Sequence, residues 1–360
     1  MLSLSSHPPT FSALLVAGLA LSLPAGLMAG ADSPRTASGR PDLTGTYDAA
    51  TLTPLTRPAG FGNNLYLSRE EAEELAEKQR LHVEENAQAS NPDREAPPDG
   101  GDGSPGPAGN VGGYNDFWID QGTDVFTIDG KFRTSIIIDP ENGQMPPMTP
   151  DGQKMMAKLI SSFTRRNEGK AWWLDKDGPG PYDNMEQRDN AERCMLGFSG
   201  AAPSIPSFYN NYKTIVQTDD YVLILIEMVH DARIVRMNSE HLPAEITNWL
   251  GDSIGWWEGD TLVVDTTNFS SKAGGFLGGA DKHVVERFSR LDDGNVLYNF
   301  TMEDDSTWTA PWTGEYVWRS SEQKLYEYAC HEGNYALGNI MRGARLLEEQ
   351  TLEAEQGGGD

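Results

Sequence analysis

GWWEGDTLVVDTTNF, residues 255–269, reads as a strand, a tight turn and a second strand. Glu258-Gly259-Asp260 carries the turn chemistry, and a β-branched run from Thr261 to Thr267 follows it. The same pattern extends outward on both sides. Upstream stand YKTIVQT (212–218) and YVLILIEMVHDARIV (221–235); downstream come HVVERFSRL (283–291), VLYNFTME (296–303) and GEYVWRS (314–320). Asp292-Asp293-Gly294-Asn295 is another short turn. Successive strands on short turns make an antiparallel meander, and closure is the usual way such a sheet removes its edges. The chain is therefore expected to be mainly β, a meander closing into a barrel or packing as a sandwich, with peripheral helices.

The other elements are sparser. Ser68-Arg69-Glu70-Glu71 is a capping box that opens a charged surface helix. Thr149-Pro150 starts a second helix, with Thr as N-cap and Pro at the first helical position. Between them, Asp129-Gly130 and Pro140-Glu141-Asn142-Gly143 mark turns in FTIDGKFRTSIIIDPENGQMP (126–146). PAEITNWL (243–250) and YALGNIMRGARLLEE (335–349) read as further helices. The expected organisation is a signal segment over 1–31, then an N-terminal strand, surface helix and Pro/Gly-rich linker over 32–113. A β-rich main domain over 114–350 and a disordered tail over 351–360 complete it.

Composition narrows the setting. Phe11 to Gly30 is apolar and Ala29-Gly30-Ala31 supplies a small-x-small cleavage pattern, as in an export signal. No later run is long and apolar enough to span a bilayer. The two cysteines, Cys194 and Cys330, fit a single disulfide in an oxidising periplasmic or extracellular space; a nucleophilic thiol would have to stay reduced there. Net charge is −26, with 54 acidic against 28 basic residues, a balance that repels phosphate backbones and anionic lipid. A small-molecule partner is expected, with no nucleic acid and no membrane insertion.

The residue types for chemistry cluster in two places. Read as one long strand covered on both faces, 221–236 would carry Glu227, Asp231 and Arg233 on one side and His230 on the other. A carboxylate in apolar surroundings gains a raised pKa suited to general acid or base work. Histidine titrates near neutrality, and Arg233 could hold an anion. The second place is His331-Glu332, beside Cys330, where an imidazole with a carboxylate could transfer protons. At either place, the same residues could equally form a polar network tying strand ends to loops. Aromatic residues Trp256, Trp257, Trp308, Trp312 and Tyr209 could line a ligand pocket or simply fill the core.

Other chemistries lack their signatures. There is no G-x-S-x-G elbow, Walker loop or dinucleotide fingerprint, so no nucleotide cofactor is expected. His230, Asp231, His283, His331 and Glu332 supply ligand types for a divalent metal, but without HExxH, HxH or CxxC spacing. Asp175-x-Asp177-Gly178 begins like a calcium loop, which Pro179 and Pro181 then interrupt.

The blocks GRPDLTGTYD (39–48), LIEMVHDARIVRM (225–237), NWLGDSIGWWEGDTLVVDTTNF (248–269), TWTAPWTGEY (307–316) and YEYACHEGNYAL (326–337) resemble a family of exported bacterial proteins to which no activity is attached. The resemblance covers most of the chain after the signal segment. Where that family has Trp, this chain has Tyr47. A looser similarity is to calycin, lipocalin-like barrels, whose first strand carries G-x-W and whose meander surrounds a ligand cavity; Gly45-Thr46-Tyr47 departs from that signature. This similarity implies a calycin-like barrel and says little about function.

Three functions follow as expectations. The first is an exported acid–base enzyme of lyase, hydratase, isomerase or hydrolase type, acting on a small apolar or aromatic molecule through Glu227, His230, Asp231, His331 and Glu332. The second is a lipocalin-like carrier of an apolar ligand. The third is a carbohydrate-active hydrolase, which would need two carboxyl groups facing across a groove.

Overall fold

A computed structural model describes residues 33–86, 93, 119–164, 169–273 and 277–357. The expected signal segment and all but Asp93 of the Pro/Gly-rich stretch 87–113 lie outside these residues. In chain order the strands are β1 (Gly45–Asp48), β2 (Tyr66–Leu67), β3 (Thr127–Ile128), β4 (Lys131–Arg133), β5 (Ile137–Asp139), β6 (Tyr212–Gln217) and β7 (Tyr221–Ile226). They continue as β8 (Ala232–Met237), β9 (Asp252–Glu258), β10 (Thr261–Thr267), β11 (His283–Arg290), β12 (Val296–Glu303) and β13 (Trp312–Ser321). The helices are α1 (Arg69–Asn86), α2 (Pro150–Thr164) and α3 (Ala336–Gly357).

β1 and β6 to β13 form a closed nine-stranded barrel, and β5 adds outside it along β13. β1 closes the ring by pairing on both edges, with Gly45 opposite Ile215 of β6 and Asp48 opposite Arg319 of β13. A ring of strands that flip direction at every step must have an even number. Nine strands therefore need one parallel joint, and β8 with β9 supplies it through Val235 opposite Ser253. The meander expected from the sequence is thus broken once. The crossover 238–251 that makes this joint contains PAEITNWL, which forms turns and not the expected helix.

Alternation sets the interior. Val222, Ile224 and Ile226 of β7, Leu262 and Val264 of β10, and Val296, Tyr298, Phe300 and Met302 of β12 are all fully buried. Trp312, Tyr316 and Trp318 of β13 fill the centre, with Tyr298 stacked on Trp318 at 4.9 Å between ring centroids. Each such aromatic ring, removed from water, contributes about 1.5–3 kcal/mol. Gly314 is required where Phe300 crosses β13, because a Cβ there would stand 2.5 Å from the ring's Cζ. Tyr47 also turns inward and donates to Leu43 O at 2.8 Å.

Residues 221–236 are not one strand. β7 and β8 are a hairpin, with Leu225 opposite Ala232 and a tight turn over 227–231. Val229 and His230 sit at φ +57° and +43°, a backbone region β-branched residues avoid. That is why the turn is invisible in EMVHD. Only one face of the hairpin is buried; Tyr221 and Ile234 on the other are exposed.

The helices decorate the barrel. Ser68 and Glu71 make the reciprocal capping-box bonds at α1, and Gly152 N donates to Thr149 Oγ1 at the start of α2. α3 extends to Gly357, so residues 351–357 are helical and not a disordered tail. Ala344 and Leu347 of α3 pack on Trp173, whose Nε1 donates to Glu348 at 2.6 Å. The Cys194–Cys330 disulfide ties the segment before α3 to the loop 189–208. Among the described residues, no helix is long and apolar enough to cross a membrane.

Candidate functional site

The loop 189–208 crosses one end of the barrel and roofs a cavity of about 610 Å3. This volume falls within the roughly 300–1,000 Å3 typical of small-molecule sites. Leu52, Pro54, Leu55 and Ile136 form one wall; Leu196, Phe198, Ala201, Ala202, Pro203, Ile205 and Phe208 form the roof. Leu277 and Lys282 close the side facing β11. Among the described lining residues Asp189 is the one carboxylate, so they do not supply the facing carboxyl pair of a carbohydrate hydrolase.

The roof is irregular because Gly197, Gly200, Pro203 and Pro206 forbid a helix or ladder, so it is held by side chains instead. Ser204 N donates to Tyr298 Oη at 2.8 Å, and Tyr316 Oη donates to Ser204 O at 2.8 Å. Tyr298 in turn donates to Glu286 Oε1 at 2.7 Å, and Glu286 pairs bidentately with Arg233 at 2.6 and 2.8 Å. A buried ion pair in the barrel thus supports the cavity roof through two tyrosines. Gly197 N donates to Asp231 Oδ2 at 2.8 Å, and Asn190 Nδ2 bonds Lys272 O and Ala273 O.

None of the side chains singled out from the sequence lines this cavity. Arg233 points into the barrel interior and is consumed by Glu286, so it is not free to meet a ligand. Asp231 braces the roof from behind; burial raises its carboxyl to about 6, against the opposing Gly197 N–H. Glu227 is buried at the start of the same turn and accepts from Tyr212 N at 3.4 Å; desolvation raises its pKa as well. His230 is exposed beside them. Tyr209 and Glu332 line a second hollow with Asp120, Glu192 and Cys330, while His331 stands exposed at its edge. The first expected cluster sits at the 227–231 turn and the second at this hollow. Among the described residues no hydrogen bond or ion pair joins Glu227, His230 or Asp231 to His331 or Glu332.

The tryptophans are structural. Trp312 fills the barrel, and Trp308 donates to Leu277 O at 2.7 Å beneath the cavity wall. Trp257 packs against the core under Arg40, and Trp256 donates to Glu258 at 3.0 Å on the outside. His283, counted among possible metal ligands, lies on the outer face in a row that runs Arg236–Asp252–His241–Asp265–His283–Glu303. Among the described residues, no group of three or more His, Cys, Asp or Glu side chains is placed to hold a metal ion.

Two lysines went unnoticed in the sequence. Lys213 is fully buried inside the barrel, its Nζ without a hydrogen-bond partner and 5.5 Å from the Trp318 ring centroid. Burial, with Arg233 nearby, pushes it down to about 7. Lys282 is 5 % exposed and lines the cavity. The alternation Lys282, Val284, Glu286, Phe288 would have turned it inward, had 283–291 been extended by one residue. Compared with known proteins, the chain matches no family model and no curated protein.

Proposed function

We propose that the protein is a binder of a small apolar molecule, a lipocalin-like carrier working in a periplasmic or extracellular space. The observation that carries this reading is the roofed, largely apolar cavity at the barrel mouth, with its roof pinned by the disulfide, Asp231 and two tyrosines. A pre-formed cavity needs little ordering on binding, which favours affinity. The disulfide supports the oxidising compartment. The expected similarity to exported bacterial proteins agrees with it.

The experiment is direct. Purified protein is extracted under denaturing conditions and the released small molecules are identified by mass spectrometry. An apolar ligand released unchanged, together with binding of a neutral environment-sensitive dye that Ala201→Trp abolishes without altering circular dichroism, supports the carrier reading. Dye binding unaffected by filling the cavity would overturn it.

A second reading, acid–base turnover, has one observation in its favour: Asp231, with a carboxyl near 6, stands directly behind the Gly197 segment of the wall. Chemical change of a bound ligand that Asp231→Asn stops, while binding persists, would replace the carrier reading with this one.

A further inference from the structure

Among the described residues of the cavity lining, Lys282 is the one that carries a cationic group. It lies 4.3 Å from the Phe269 ring centroid, a favourable but weak partner. Among the described residues it makes no hydrogen bond. The natural counter-ion would be Asp304, which follows β12 just as Lys282 precedes β11. But Asp304 is already occupied. Its Oδ1 accepts from Ser306 N at 3.1 Å, Ser306 Oγ at 2.6 Å and Thr307 N at 3.1 Å, and its Oδ2 accepts from Gly279 N at 2.6 Å. Four donors from its own loop and Gly279 thus converge on this carboxylate, three on Oδ1 and one on Oδ2, and none of them is Lys282. Asp304 attracts Lys282 through space without bonding it.

The Lys282 residue is 5 % exposed, and its Nζ keeps donors that an acceptor entering the cavity can take up. The cavity beside it holds a small molecule's volume and has apolar walls. Resting on the binding reading above, we infer that the ligand is an apolar monocarboxylate, its chain or ring against the Leu52–Leu55 and Leu196–Phe208 walls and its carboxylate accepting from Lys282 Nζ. A second negative charge on the ligand would face Asp189 in the same lining, in largely apolar surroundings. Burial lowers Lys282 to about 8, partly offset by Asp304, so the group is still mainly charged at neutral pH.

The test uses the purified full chain and two probes of equal length, decanoate and decanol, titrated calorimetrically at pH 7. The expected result is decanoate binding at least tenfold tighter than decanol. In Lys282→Met that preference disappears, and Lys282→Arg keeps it. In the unmodified protein the preference also falls as pH rises through about 8. Equal binding of the two probes by the unmodified protein overturns this inference and leaves the carrier reading standing. Failure of both probes to bind overturns the two together. The unmodified protein alone decides these outcomes, whatever the variants do to folding.

Discussion

Arg233 donates two hydrogen bonds to Glu286 across the barrel interior, from Nη1 at 2.6 Å and Nη2 at 2.8 Å, with both side chains almost wholly removed from water. The same Glu286 takes the Tyr298 hydroxyl, which accepts from the cavity roof at Ser204 N. Removing either charge leaves the other buried and alone. Arg233→Met is therefore expected to destabilise the protein by about 3–5 kcal/mol in urea denaturation. Arg233→Met combined with Glu286→Leu should recover most of that loss. A single variant as stable as the parent would show that the pair does not act as a unit.

Lys213 has no such partner. Its folded pKa lies near 7 against about 10.4 for a free lysine, so the unfolded chain binds more protons between those values and stability rises with pH across that window. The unfavourable contribution is complete at pH 7 and below. Lys213→Met should stabilise by about 1–3 kcal/mol near pH 6, and the gain should shrink toward zero by pH 10. Thermal unfolding over this range checks both the sign and the slope.

Gly200 lies against Asp231 so closely that a Cβ would stand 2.3 Å from Oδ2 and 2.8 Å from the Asp231 Cβ. Gly200→Ala should push the roof off its brace and weaken dye binding at least tenfold, with the barrel's circular dichroism unchanged. Asp231→Asn keeps an acceptor for Gly197 N. Because burial raises the Asp231 carboxyl from 3.8 to about 6, its unfavourable charge is fully felt above pH 6 and relieved below about 4. The Asn variant should lose that pH dependence while retaining binding.

The disulfide joins residues 136 apart in sequence. On chain-entropy grounds a loop of this length stabilises by roughly 4–5 kcal/mol. Cys194→Ser with Cys330→Ser should lower stability by up to that amount and raise hydrogen exchange in the 189–208 roof more than in β10 to β12. Equal exchange in both regions would mean that the bridge does not hold the roof.

On the outer face, the hydrogen bonds that the His283 ring donates to Asp265, and then to Glu303, raise His283 to about 9. Stability from this imidazolium is fully present below about 6.5 and is lost as pH rises through 9. In NMR titration Asp265→Asn should bring the His283 midpoint down by at least one unit. His283 is more than a third exposed, so the effect on stability should be small.

Much of the barrel was legible in the chain because strand periodicity is local. TLVVDTTNF, HVVERFSRL and VLYNFTME show which residues face in, and Gly259 and Gly294 mark where the chain reverses. The 227–231 turn was not legible, since Val229 and His230 adopt conformations that their own side chains disfavour; contacts of Asp231 and Glu227 with distant backbone hold them there. The parallel β8–β9 joint escaped notice for a related reason: ring parity belongs to the closed sheet and to no segment of it. The apolar cavity was not legible because His230, His331 and the tryptophans attract attention by residue type, whereas Lys282 enters its lining only through the fold.

What the amino-acid order determined by itself was the strand character, the helix caps at Ser68 and Thr149, the acidic surface and the availability of one cystine. Each depends on neighbours a few residues away or on simple totals. The tertiary structure alone decided that nine strands close, that Arg233 is consumed by Glu286, and that a proline- and glycine-rich loop becomes the roof of an apolar cavity beside Lys282. Those outcomes depend on which buried polar groups find partners across tens or hundreds of residues, and pairing at that range is settled only when the chain has closed on itself.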